Sequence, residues 1–101
     1  MWPAFWSYAV ASNWPTGGEI DRFEVVNNVL NAQMALHSEP EYSVVNPVQT
    51  STLVNTTDCN VQADQNMGCV LENPDRNYYG AAFASASGGV FVTELAEKGI
   101  S

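Results

Sequence analysis

Gly18-Glu19-Ile20-Asp21-Arg22-Phe23-Glu24 places three carboxylates within six residues of a segment otherwise built like a β-strand. In a regular strand, residues two apart share a face, so Glu19 and Asp21 point the same way. Glu24 is an odd number of steps from Glu19, and a regular strand turns it to the opposite face. A single β-bulge between Asp21 and Glu24 restores it. All three acids then line one face, with Ile20 and either Arg22 or Phe23 directed to the core. Phe23 is the better core residue of the two, because an unpaired buried guanidinium is costly. Three acids on one face repel one another, and at least one pKa is expected to rise.

The flanking sequence supports a sheet. Glu19 to Val26 reads as a strand, preceded by the turn formers Asn13-Trp14-Pro15-Thr16-Gly17-Gly18. Upstream, Ala4 to Ala11 reads as a buried strand between Pro3 and Pro15. Downstream, Asn27 to Asn31 is a connector and Ala32 to His37 a third strand. Periodicity dissolves from Ser38 to Asn77, where three prolines and both cysteines fall. A stretch of that length without regular structure is either functional or pinned. Alternation returns at Tyr78 to Ala84 and at Val90 to Leu95, and the two runs read as a hairpin around Ser85-Ala86-Ser87-Gly88-Gly89. Lys98-Gly99 reads as a turn and Ile100-Ser101 as the start of a strand. With no amphipathic helix in sight, the fold class is all-β.

Composition narrows the function classes. Eleven acidic residues against three basic ones give a formal charge of −8 in 101 residues. Arg22, Arg76 and Lys98 build no basic patch, so neither nucleic acid nor an anionic membrane is an expected partner. Asn, Ser and Thr together number 24 and supply the polar surface that charged residues usually supply. Such a surface suits a neutral, hydroxyl-rich partner. No apolar run approaches the ~20 residues of a membrane span. Cys59 and Cys69 fit neither a zinc pattern nor a redox CxxC, and no metal or cofactor is expected. Two readings of the pair stay open: a small loop-closing disulfide in a secreted protein, or two reduced core thiols in a cytosolic one. Asn55-Thr56-Thr57 is the one N-glycosylation sequon, usable only on the secretory route.

A pair of carboxyls with separated pKa values is what glycoside hydrolysis requires, one ionised as nucleophile and one protonated as acid. The alternative is an edge strand whose acidic face is merely solvated. Trp2-Pro3-Ala4-Phe5-Trp6, Trp14 to Asp21 and Met34-Ala35-Leu36-His37 weigh against that alternative. In this order they closely resemble the fungal endo-1,3(4)-β-glucanases, laminarinase-type members of glycoside hydrolase family 16. The resemblance runs on through Thr57-Asp58-Cys59, Gly68-Cys69, Tyr79 to Phe83 and Gly88 to Glu94.

The resemblance implies a concanavalin A-like β-jelly roll sandwich, incomplete in this chain. Residues 1–101 correspond to the central portion of one catalytic domain, without its N- and C-terminal parts. It implies Glu19 as nucleophile and Glu24 as general acid/base, with Asp21 between them tuning the nucleophile. Retaining hydrolysis of β-1,3 or mixed β-1,3/1,4-glucans would follow, with carboxyls about 5–5.5 Å apart. His37 matches a family histidine near the acid/base, either in a direct role or as a satisfied half-buried side chain. Trp6 and Trp14 match aromatic positions along a glucan cleft, whereas Trp2 reads as core. A secreted, extracellular, monomeric parent is expected, with β-glucan as its partner and Cys59–Cys69 as its disulfide. The 101-residue chain by itself is expected to fold poorly and to hydrolyse nothing. A non-catalytic glucan-binding protein and a glucan transglycosylase are the alternatives on the same fold. Departures from the family pattern fall at Arg22, usually apolar; Val25, often glycine; Tyr42, often cysteine; and Leu95, commonly an aromatic. An Arg22 side chain in the exposed bulge position would sit beside the carboxylates and lower their pKa.

Overall fold

A computed structural model describes residues 1–100 of the chain. Its strands are β1 (Ala4–Tyr8), β2 (Glu19–Glu24), β3 (Gln33–His37), β4 (Thr52–Leu53), β5 (Cys69–Glu72), β6 (Leu95–Ala96) and β7 (Gly99–Ile100). A 3₁₀ turn, Arg76–Tyr78, leads into one short helix, α1 (Gly80–Ser85). The first five strands form an antiparallel sheet in the order β1-β2-β3-β5-β4, and β6 pairs with β7. No described helix is long and apolar enough to cross a membrane.

The acidic strand behaves as its spacing predicts. On the β3 side, Asp21 pairs with Ala35 and Glu24 with Gln33, so three steps on β2 span two on β3. On the β1 side, Asp21 pairs with Trp6 and Phe23 with Phe5, leaving Arg22 unpaired. One extra residue thus enters the strand between Asp21 and Glu24. Residues directly opposite one another share a face, so Glu19, Asp21 and Glu24 lie on one side with Tyr8, Trp6 and Ala4. Ile20 and Phe23 take the other side with Ser7 and Phe5.

Burial concentrates where strands have neighbours on both edges. Asp21, Val25, Ala32, Ala35, Cys59, Val61, Gly68, Cys69 and Val70 are buried, and they cluster around β2, β3 and β5. The buried strand expected at Ala4 to Ala11 is instead a shorter edge strand. Phe5, Trp6 and Tyr8 are exposed, and β1 lies at the sheet edge with a partner on one side alone. The irregular stretch from Ser38 to Asn77 contains a strand that alternation did not reveal. Cys69-Val70-Leu71-Glu72 pairs with β3 on one edge and β4 on the other; Cys69 and Val70 point to opposite faces and both are buried, and a strand buried on both faces reads as an apolar run. Elsewhere the stretch is pinned by bridges from Ser38 to Asn60 and Ser43 to Asp58, and by the Cys59–Cys69 disulfide.

The hairpin expected from Tyr78 to Leu95 does not form. Asp75 accepts from the Asn77 N–H and starts the 3₁₀ turn, Gly80 takes φ +67°, and the alanines around Phe83 coil into α1. Alanine is the strongest helix former, so local propensity outweighs the apparent alternation. Val90–Glu94 runs without a strand partner. Its Phe91 ring packs 5.2 Å from Phe23, 5.7 Å from Phe83 and 6.2 Å from Tyr78. The final turn lies at Glu97-Lys98, one residue earlier than expected, and closes the β6–β7 hairpin. The expectation for Ser101 lies outside the described residues.

Candidate active site

The three carboxylates of β2 open onto a cleft of about 760 Å³. Its walls include Trp2, Trp14, Glu19, Asp21, Glu24, His37 and the segment Gln65-Asn66-Met67. Each acid sits in a different setting although all three share one strand face.

Glu19 is next to the turn that feeds β2. Gly17 and Gly18 both take positive φ, 85° and 78°, and a Cβ on Gly17 would lie 2.5 Å from the Ala9 Cβ. This tight return brings Trp14 back over the strand it precedes. The Trp14 indole Nε1–H donates to Glu19 Oε2 at 2.5 Å. Asp21 is 4% exposed, and its Oδ2 accepts from His37 Nε2 at 2.9 Å. A buried carboxylate needs such a partner, since stranding its charge in the interior is costly. The His37 pKa is raised: its bond to Asp21 holds the proton, against burial, which opposes it, and the negative charges of Asp21, Glu19 and Glu24 act in the same direction as the bond. His37 Nδ1 is buried and has no hydrogen-bond partner.

Glu24 is the acid whose protonated form the site favours. Burial raises its pKa first of all. Trp2 opposes the rise, donating its indole N–H to Glu24 Oε1 at 2.9 Å; Asp21 and Glu19 add to it, and His37 subtracts. The expectation that one acid rises therefore holds, but desolvation is the main cause and repulsion a smaller one.

The structure corrects two residue readings. Trp2 is not core: it is 63% exposed and lines the cleft. An indole N–H seeks an acceptor, and Glu24 supplies one beside the chain entering β1. Arg22 is neither stranded in a core nor turned toward the acids. It faces the other side of the sheet, donates to Ser7 Oγ at 2.8 Å and places its guanidinium 5.3 Å from the Phe5 ring centre. It thus finds both a hydrogen-bond acceptor and an aromatic face.

The remaining candidates separate in space. Trp14 lies with the acids. Trp6 shares their face but lines a separate depression, stacked with Tyr8 at a centroid distance of 5.3 Å. His37 is committed to Asp21 through Nε2. Among the departures from the family pattern, Val25 is buried, and Tyr42 and Leu95 are exposed. Cys59 and Cys69 form the disulfide. No group of acidic, histidine or cysteine side chains among the described residues is arranged to hold a metal ion. The wall segment Gln65-Asn66-Met67 escaped sequence reasoning. The signal was the clustering of polar turn formers, Asp64 to Gly68, between the two cysteines.

Comparison with known proteins identifies the family and the fold. The family described as XgeA-like, catalytic GH16 domain matches residues 1–101. A probable glycosidase of Schizosaccharomyces pombe is 42% identical over 103 residues, covering 98% of this chain and 24% of that protein. An endo-1,3(4)-β-glucanase of Arthroderma benhamiae is 38% identical over 104 residues, covering 99% of this chain and 22% of that protein. The chain therefore spans about a quarter of the length of these relatives. Among solved structures, laminarinase 16A from Phanerochaete chrysosporium, with β-glucans in donor and acceptor sites, superposes with a TM-score of 0.76 at 35% identity. That match covers 87% of this chain and 29% of the laminarinase. An elongating family 16 β-1,3-glucosyltransferase superposes with a TM-score of 0.78 at 32% identity, covering 95% of this chain and 31% of that one. The antiparallel sheet, with its bulged acidic strand, is part of the jelly-roll fold of these neighbours, and the chain belongs to the catalytic domain of glycoside hydrolase family 16.

Proposed function

We propose that residues 1–101 are the central part of a single catalytic domain and supply its reacting face, in a retaining endo-hydrolase of β-1,3 or mixed β-1,3/1,4-glucans. The observation that carries this reading is a pair of carboxyls on one strand face of the cleft, Glu19 and Glu24, each accepting an indole N–H. Burial raises the Glu24 pKa and so favours the protonated acid that the first step needs. In the first step, a Glu19 oxygen attacks the anomeric carbon as Glu24 gives its proton to the departing glycosidic oxygen. The C–O bond to the leaving sugar breaks and a glycosyl ester on Glu19 forms. In the second step, water attacks the same carbon, Glu24 takes its proton, and Glu19 leaves as a carboxylate. Asp21, held by His37, lies between them and orients the nucleophile's surroundings. Trp14 offers an indole face to a pyranose ring beside the acids, and Trp6 extends the aromatic surface outward. The relatives named as endo-1,3(4)-β-glucanases support the substrate class. The disulfide supports a secreted protein, because such bonds persist in oxidising compartments.

The test is release of oligosaccharides from laminarin by the full-length protein, followed by anomeric NMR of the first product. Retention of the β configuration is expected, and Glu19→Gln is expected to reduce turnover to background. Undiminished activity in that variant overturns the nucleophile assignment. A second reading, glucan transfer, is favoured by the likeness to the elongating glucosyltransferase. There a sugar hydroxyl replaces water in the second step, and products longer than the substrate would appear by mass. A third, glucan binding without cleavage, would give retention on insoluble glucan and no reducing sugar.

A further inference from the structure

The sequon residue Asn55 has a use that its sequence context does not suggest. Its amide Nδ2 donates to Asp64 Oδ2 at 2.9 Å and to the Gly68 carbonyl at 2.8 Å, while its Oδ1 accepts from the Val70 N–H at 2.9 Å. An Asn amide has two N–H donors, and both are engaged. Asp64 closes the network, since its Oδ1 accepts from the Gly68 N–H at 3.1 Å. The segment so enclosed is Gln65-Asn66-Met67, whose Gln65 and Asn66 take φ of 59° and 77°. Two consecutive non-glycine residues in the left-handed region need such an outside hold. Gly68 fixes the far end: a Cβ there would lie 2.3 Å from the Leu36 carbonyl oxygen and 3.0 Å from His37 Nδ1. The three held residues are exposed and line the cleft that contains the acids.

We propose that Asn55 is a positioning residue that fixes Gln65–Met67 as a wall of the cleft, where the Gln65 and Asn66 amides bind hydroxyl groups of the sugar chain. An amide both donates and accepts, as a sugar hydroxyl does, so it reads a hydroxyl without a charge. The sugar part of the proposal rests on the glucan reading above; the clamp itself does not. A glycan attached at Nδ2 would remove one of the two donors, so the Asn55-Thr56-Thr57 sequon stays without a sugar in the folded protein.

The experiment compares four forms of the full-length protein made in a secretory host: wild type, Asn55→Ala, Asn66→Ala and Thr57→Ala. Thr57→Ala removes the sequon and leaves the Asn55 side chain in place. With laminarihexaose as substrate, Asn55→Ala and Asn66→Ala are expected to raise KM about fivefold with kcat within about twofold. Thr57→Ala should match wild type. Amide exchange at Gly68 and Val70 should quicken in Asn55→Ala and stay slow in Asn66→Ala. Intact mass should place no glycan on Asn55. Unchanged KM and exchange in Asn55→Ala overturn the clamp, as does a glycan on Asn55 in the folded wild type. An unchanged KM in Asn66→Ala overturns the sugar contact. If wild type acts on no glucan, the glucan reading and the sugar contact fall together, and exchange at Gly68 and Val70 still decides the clamp. If Asn55→Ala does not fold, Asp64→Ala takes its place on the same readouts.

Discussion

The acidic strand and the loop between the two cysteines line the same cleft, yet different forces hold them. β2 is bonded on both edges, to β1 and β3, and its bulge is specified by its own sequence. The loop from Asn60 to Gly68 forms no strand. It is held by the Cys59–Cys69 bond, by Asn55 and Asp64, and by the Asn66 N–H to the Val61 carbonyl. A backbone ladder spreads its hold over many groups. A cross-linked loop depends on a few, so one substitution can release it.

This contrast orders the expected effects. The largest is chemical: on the proposed mechanism Glu19→Gln replaces the attacking carboxylate by a neutral amide, and it should end turnover while leaving thermal stability within about 1 kcal/mol, the range for an exposed or half-buried polar change. Asp21→Ala comes next. It removes the buried partner of His37 from between β2 and β3, and should destabilise by about 3–5 kcal/mol. Denaturant unfolding measures this, and a loss below about 1 kcal/mol would mean that the Asp21–His37 pair does not hold the strands. Cys59→Ser/Cys69→Ser should cost about 3 kcal/mol on the chain-entropy account. It should quicken amide exchange across the loop and leave the β2–β3 ladder protected. Loss of protection in both regions together would break the distinction between them.

Smaller effects concern protons. Trp2→Phe removes the indole donor that lowers the Glu24 pKa. The basic limb of the kcat/KM profile, which reports the acid that must be protonated, should move to higher pH. An unmoved or lowered limb would detach Trp2 from the acid. The smallest effect is on stability against pH. The folded-state pKa of His37 is raised above its ordinary 6.5, so its contribution is complete below that pH and fades as pH rises through the raised value. Glu24, also raised, acts in the same direction from its ordinary 4.5 upward. Thermal scans should therefore show a midpoint that falls from pH 5 to pH 8. His37→Gln should flatten the part above pH 6 and leave the part near pH 5.

Much of the acidic side of the cleft was legible in the sequence, because it follows from local rules. Glu19, Asp21 and Glu24 share a face through the period of a strand plus one inserted residue, and the order of their flanking motifs marked the family. The turn at Asn13 to Gly18 was readable for the same reason, whereas the residues alone left the cysteines open between a disulfide and reduced thiols, and the structure shows the disulfide. The other wall was hidden. β5 lacks alternation because Cys69 and Val70, on opposite faces, are both buried, and nothing local says that its neighbours are β3 and β4. Tyr78 to Ala84 misled in the opposite sense, since its alternation was accidental and its alanines preferred a helix.

The sequence by itself determined which groups can react and how they are spaced, because strand periodicity acts over a few residues, and its motifs in their order carried the resemblance to the family. Tertiary structure alone decided what surrounds each group. It brought Trp2 to Glu24 across 22 residues, His37 to Asp21 from the next strand, and Arg22 to Ser7 and Phe5 on the far face. Burial and hydrogen bonds between residues distant in the chain set the proton affinities of Glu24 and His37, and those contacts exist only once the strands have paired.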